Sequence, residues 1–262
     1  MNLDLTNKNA LVSGSSQGIG SASAIELSKL GANVTIVGRN QDLLENTYSK
    51  LDTSKGQNHK ILNIDYSIRG ELKTEIDKFI AQGNKVDILV NNMGGPKAGA
   101  AYKAELEEFE TAFYNHVINN QTLVQAFIPQ MKEKGWGRII NIISTSVKAP
   151  LKGLGVSNTI RGAVGNWAKS LAMEMGKYNI TVNNVLPGST LTARHDDIVR
   201  TKSEKTGMSM EEIEYEMKEI IPMKRFAEPH EVANAVAFLA SPAASFINGI
   251  NIPVDGGRTE NL

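Results

Sequence analysis

The 262-residue sequence predicts a single-domain α/β protein, a doubly wound parallel sheet of about seven strands with helices on both faces. Three observations carry this. Short runs rich in Val and Ile lack strict apolar–polar alternation, as strands buried on both faces do. Those runs alternate with longer amphipathic stretches six times, in the order that parallel pairing with helical crossovers requires. No Pro/Gly/Ser-rich linker and no internal repeat divides residues 1–262.

In chain order, strands are expected at 9–13, 33–37, 60–64, 86–90, 138–144, 181–186 and 250–253. Helices are expected at 18–30, 41–51, 67–82, 105–134, 155–177 and 229–240. The helix over 105–134 contains Pro129, which removes an amide donor and is expected to stop or bend it. Residues 193–221 interrupt the rhythm: they are charged, helical in pattern, and follow the Pro187-Gly188 turn. Two readings stand for them, a solvated surface helix or a mobile substrate lid at the strand C-terminal ends.

Composition narrows the class. Lys+Arg and Asp+Glu both total 28, so the basic excess of a nucleic-acid binder is missing. There are no cysteines, which excludes a disulfide scaffold and a Cys-ligated metal; no metal site is expected. The first residues lack a basic-then-apolar secretory pattern, and no apolar run reaches the roughly 18 residues of a membrane span. A cytoplasmic protein without nucleic-acid or membrane partners is the expectation.

The first strand runs into Ser13-Gly14-Ser15-Ser16-Gln17-Gly18-Ile19-Gly20 and then directly into a helix. Glycines at 14, 18 and 20 allow a tight turn, a close backbone approach to a diphosphate, and close helix–strand packing. The helix N-terminus adds N–H groups and positive dipole. A lone glycine-rich turn can be only a turn, but here it has the strand–turn–helix setting of a Rossmann-type dinucleotide site. The second strand ends in Val37-Gly38-Arg39-Asn40, with a cation where a 2′-hydroxyl site would want an acid. Arg39 is read as a 2′-phosphate ligand, favouring NADP(H) over NAD(H); the alternative is an arginine in a helix-capping loop.

With these motifs the sequence resembles the short-chain dehydrogenase/reductase family, particularly its 3-oxoacyl-carrier-protein-reductase-like members. Further carriers of the likeness are Asp65, Asn91-Asn92-Met93-Gly94, 137–142, 179–188, Arg225-Phe226-Ala227-Glu228-Pro229 and Val254-Asp255-Gly256-Gly257. The resemblance implies that Asp65 contacts adenine and that Asn91 and Gly94 flank the adenosine ribose. It also implies that Thr190 and Thr192, after Pro187 and Gly188, meet the nicotinamide amide or the phosphates. A homo-oligomer, tetramer or dimer, is implied as well.

The catalytic positions break the family pattern. Ser144 takes the place of the family Ser. An interval of 13 then reaches Ser157 where Tyr is expected, and four further reaches Arg161 where Lys is expected. Aligning the fourth helix puts His116 at the Asn place. Serine is a far weaker acid than tyrosine, and arginine stays protonated. Ser157 and Arg161, four apart, share one helical face and could orient a substrate oxygen or bind an anion. Arg161 is thus a candidate for both catalysis and cofactor binding. His116 is the one member expected to titrate near neutrality, although a lone helical histidine is more often packed or solvated. Tyr102, Lys97, Lys148, Lys152 and His195 are further proton sources expected at the pocket rim.

The reading is an NAD(P)-dependent oxidoreductase moving hydride to or from a carbonyl or secondary alcohol, with a small-molecule substrate that an arginine suits to be anionic. The alternatives are a catalytically degenerate nucleotide-binding regulatory protein and a non-redox lyase or isomerase.

Overall fold

The computed structural model describes residues 1–261. Seven parallel strands form one sheet in the order β3-β2-β1-β4-β5-β6-β7. They are β1 Asn9–Val12, β2 Asn33–Gly38, β3 Lys60–Asn63, β4 Ile88–Asn91, β5 Gly137–Ile142, β6 Ile180–Pro187 and β7 Asn251–Val254. Strand order reverses between β1 and β4, and at such a switch the diverging connections leave a crevice at the strand C-terminal ends.

The helices are α1 Gly18–Lys29, α2 Gln41–Tyr48, α3 Glu71–Ala81, α4 Leu106–Phe113, α5 Asn119–Lys134, α6 Gly155–Met175, α7 Ala193–Thr206, α8 Met210–Glu219 and α9 Pro229–Ala240. Consecutive strand residues face opposite layers, which is why the strands read as unbroken apolar runs. Val12, Ile36, Val90 and Ile140 pack under Leu27 of α1 and Val236 of α9. Their neighbours Leu11, Val37, Leu89 and Ile139 pack against Ile76 of α3, Phe127 of α5 and Ala168 of α6.

Two expectations are corrected. The long helix over 105–134 does not stop at Pro129, which lies inside α5. Phe127 and Met131, either side of it, are buried in the core and hold the helix there until Gly135 ends it in a left-handed cap. The real irregularity comes earlier: Tyr114–Ile118 is a π-helical turn between α4 and α5. Residues 193–221 are not one helix but two, α7 and α8. Gly207, at φ 74°, closes α7, and a Ser209/Glu212 capping box opens α8. Strand and helix ends otherwise shift by a few residues, most at α3, which begins at Glu71 after a left-handed Gly70. Among the described residues no helix is long and apolar enough to cross a membrane.

Candidate active site

The β1–α1 turn is a cradle that side chains would fill. Gly14 and Gly18 have positive φ, 57° and 59°. A Cβ on Gly14 would lie 2.8 Å from the Asn92 carbonyl oxygen, and one on Gly20 would lie 2.1 Å from the Gly14 oxygen. The Asn92 side-chain amide donates to that same Gly14 oxygen at 3.0 Å, tying the turn to the end of β4. Gln17 caps α1 in extended backbone without a side-chain hydrogen bond, and the first turn holds no acid. The opening N–H groups of α1 therefore remain available to an anion, beside a floor with room for backbone approach. Ile19 packs into the core beneath them. The residues fit a dinucleotide diphosphate.

Past β2 stands Arg39, the candidate 2′-phosphate ligand. A Cβ on Gly38 would meet the Ser16 Cβ at 3.3 Å, so Ser16 stands beside the strand end that carries Arg39. The cap of α2 is Asn40, whose side chain accepts from Leu43 N at 3.0 Å. Arg39 is therefore not needed as a cap. Its side chain is 74% exposed and its one ionic partner, Asp65, lies at 3.8 Å. Asp65 is organised mainly by Ser67, whose hydroxyl and amide both donate to it and hold its carboxyl below the usual range, with Arg39 a lesser cause.

Across the sheet runs a feature that apolar patterning did not reveal. Asn91, Asn141, Asn184 and Asn251 occupy register-matched positions on β4, β5, β6 and β7. Each side-chain amide donates to the next carbonyl oxygen, at 2.8, 2.9 and 2.7 Å. The chain of amides ends at Asn91 Oδ1, which is buried and has no hydrogen-bond partner. Asn91 lines a small space together with Asn92, Met93, His116, Asn120, Ile142 and Arg161, among others.

Of the four candidate catalytic positions, His116 and Arg161 line this space, whereas Ser144 and Ser157 are not among its lining residues. Ser144 follows β5 in extended backbone and its Oγ accepts from Ser146 N at 3.1 Å, which leaves the hydroxyl proton free to donate. Ser157 is half-buried in the first turn of α6. Arg161, one turn on, is buried: its terminal nitrogens donate to the Ile142 oxygen at 3.0 Å and the Met93 oxygen at 3.2 Å. Its Nε is buried and unpartnered. Burial, and secondarily Arg194, push its pKa down to about 10, which still leaves it cationic. His116 sits in the π-helical turn, 3% exposed. Burial first, and then Arg161, push its pKa down to about 2, so it is neutral where the sequence led us to expect titration.

Pro187 ends β6, and Gly188 passes so close to Asp255 that a Cβ there would lie 2.7 Å from the Asp255 Cβ. The following turn brings Thr192 over the glycine cradle, its methyl 3.2 Å from where a Gly18 Cβ would be. Thr190 is tied back to the Gly188 oxygen at 3.2 Å. Gly94 is exposed on the loop beyond Asn91. Of the rim candidates, Tyr102 is 84% exposed, whereas His195 is buried against Phe226 with ring centroids 4.3 Å apart. Two residues carry more of the site than their sequence context indicated, Asn92 and Arg194. For Arg194 the available signal was a cation two residues after the Thr192 cap.

A glycine cradle that fits a diphosphate at the switch point of a parallel Rossmann-type sheet, with the Ser144 hydroxyl two residues past the end of β5, is the arrangement of a nicotinamide-nucleotide-dependent oxidoreductase. Residues 14–259 match the family model described as enoyl-(acyl carrier protein) reductase. The chain is 31% identical over 265 residues to 7alpha-hydroxysteroid dehydrogenase of Escherichia coli (strain K12), covering 100% of this chain and 98% of that one. It is 32% identical over 255 residues to the 3-oxoacyl-[acyl-carrier-protein] reductase FabG of Staphylococcus epidermidis (strain ATCC 12228), covering 96% and 98%. The crystal structure of L-sorbose reductase from Gluconobacter frateurii, complexed with NADPH and L-sorbose, superposes with a TM-score of 0.92 at 29% identity, covering 100% of both chains. The chain belongs to the short-chain dehydrogenase/reductase family.

Proposed function

We propose that the chain is an NADP(H)-dependent oxidoreductase that moves hydride to or from a carbonyl or secondary alcohol through an atypical centre of Ser144, Ser157, Arg161 and His116. The observation that carries this reading is the pairing of an open cradle at Gly14, Gly18 and Gly20 with a Ser144 hydroxyl whose proton is free. Bound nicotinamide supplies or takes the hydride. Ser144 would hydrogen-bond the substrate oxygen and Ser157, on the face of α6 that carries Arg161, would orient it, while the proton that balances the hydride would be exchanged with solvent water. Arg161 ties α6 to the ends of β4 and β5 and keeps a fixed positive charge beneath the site. His116 acts as a neutral hydrogen-bonding group. Without a tyrosine acid, turnover falls by roughly 10²–10⁴ relative to a centre that has one.

Preference for NADP(H) rests on Arg39, which has no capping duty, with Ser16 beside it; the sorbose reductase of like fold was crystallised with NADPH. Asp65 with Ser67 forms the adenine edge, and Asn91, Gly94, Pro187, Gly188, Thr190 and Thr192 border the rest of the cofactor. Residues 193–221 form the lid of the one domain. The work is placed in the cytoplasm, in keeping with the absence of cysteine. The exposed Phe113, Met173 and Phe246 supply apolar surface that a homo-oligomer, tetramer or dimer, covers.

Purified protein with NADPH and a panel of ketones and aldehydes, or with NADP⁺ and secondary alcohols, tests the reading through the NADPH absorbance band. Silence across the panel despite tight cofactor binding rejects it. One specific feature favours a second reading, a nucleotide-binding protein without turnover: His116 held neutral and Arg161 tied to two carbonyls leave no acid at the catalytic positions. Turnover that Ser144→Ala abolishes in a folded protein excludes that alternative.

A further inference from the structure

Two guanidinium groups from distant parts of the chain meet beside Gly95. A point 1.5 Å or so off its Cα, where a side chain would begin, lies 3.8 Å from Arg194 Nη2, 3.9 Å from Arg194 Nε and 4.0 Å from Arg161 Nη2. Arg161 comes from α6 below, and Arg194 from the first turn of α7 above. No carboxylate forms an ion pair with either among the described residues, and the Arg194 charge works against that of Arg161. Arg194 is held in place by donating from Nη2 to the Pro96 oxygen at 2.7 Å. Arg161 is held from below by two carbonyl oxygens, while its Nε is buried and unpartnered. Unneutralised like charges held in a crevice raise the local concentration of anions there.

Their roles differ. Arg161 has given both terminal nitrogens to main-chain oxygens and is buried, so it sets the charge of the floor. Arg194 is exposed, and its Nε and second terminal nitrogen remain free. The diphosphate has its own receptor at Gly14–Gly20, under Thr192. Arg194 reaches the other way, toward the Gly94-Gly95-Pro96 side of the crevice.

We propose that Arg194 receives the carboxylate of an anionic substrate, with Arg161 beneath it as a fixed charge, so that the preferred substrates are oxo acids or hydroxy acids rather than neutral carbonyl compounds. The proposal rests on the oxidoreductase reading for its kinetic arm only.

The test uses an oxo acid and its methyl ester as matched acceptors, with the unmodified protein, Arg194→Ala and Arg194→Lys. The expected result is a kcat/KM preference for the acid of roughly 10- to 100-fold, the size of a lost charge-assisted hydrogen bond. In Arg194→Ala that preference disappears, mainly through KM, and Arg194→Lys restores part of it. NADPH affinity, read by fluorescence titration, stays within about twofold. Equal handling of acid and ester by the unmodified protein overturns the proposal. So does a loss of NADPH affinity in Arg194→Ala, which would assign the arginine to the cofactor diphosphate. A binding arm separates the two claims: calorimetric titration of the oxo acid into protein saturated with NADP⁺. Acid binding that needs Arg194, without turnover, supports this subsite while rejecting the redox reading. No acid binding overturns the subsite whatever the kinetics show.

Discussion

Replacing Arg39 with alanine isolates the basis of cofactor choice. The side chain is 74% exposed and its nearest ionic partner is 3.8 Å away, so its removal disturbs little else in the fold. A buried arginine–phosphate pair would be worth several kcal/mol, but this one is largely in solvent and must be discounted for screening. The lower end of the range for a charge-assisted hydrogen bond, about 1.5 kcal/mol, is the appropriate figure. That corresponds to about a tenfold loss of NADPH affinity. NADH lacks the phosphate, so its affinity should change by less than about twofold. Arg39→Asp should go further, weakening NADPH through repulsion while giving NADH an acceptor for its 2′-hydroxyl. Fluorescence titrations at low and high salt would read both effects, and the NADPH preference of the unmodified protein should shrink as salt rises. Parallel losses for both cofactors, or no NADPH preference at the outset, would refute the assignment of Arg39 to the phosphate.

Other consequences follow from the site. Gly20→Ala places a methyl group 2.1 Å from the Gly14 oxygen, so cofactor binding should vanish and the melting temperature fall, both measurable on one purified sample. Asn141→Ala strands the Asn91 amide and the Asn184 carbonyl inside the sheet; chemical denaturation should show a loss of roughly 2–6 kcal/mol, as two buried groups each lose a partner. His116 binds fewer protons folded than unfolded, because its pKa falls from 6.5 to about 2. Its contribution to stability is therefore complete above pH 6.5 and drains away as pH falls below that value, by about 1.4 kcal/mol per pH unit. His116→Gln should flatten the pH–stability curve between pH 6.5 and 5, and an unchanged slope would contradict the buried neutral imidazole.

The sheet was legible because both of its faces are covered: Leu11 and Val12, or Ile139 and Ile140, are apolar neighbours only when each side has a helix layer to enter. The cradle was legible because Gly14, Gly18 and Gly20 meet steric demands that the chain itself writes into residue type. What the sequence hid depends on contacts between distant segments. Pro129 reads as a helix breaker, yet packing by Phe127 and Met131 carries α5 through it. The π-helical turn at Tyr114–Ile118 has no compositional mark, and it decides that His116 points inward and stays neutral. The asparagine chain from Asn91 to Asn251 needs strand register, since each member alone is an ordinary polar residue in a strand. Arg161 was legible as a cation at the lysine place, but its ties to the Met93 and Ile142 oxygens, and the approach of Arg194, exist only in the folded chain.

Calorimetric titration of the unmodified protein with NADPH tests the central claim most directly, because every role assigned above is arranged around a dinucleotide held at the β1–α1 turn. One site per chain, tighter for NADPH than for NADH and abolished by Gly20→Ala, is the result this account predicts. No heat of binding with either nucleotide, in a protein that circular dichroism shows to be folded, would contradict it.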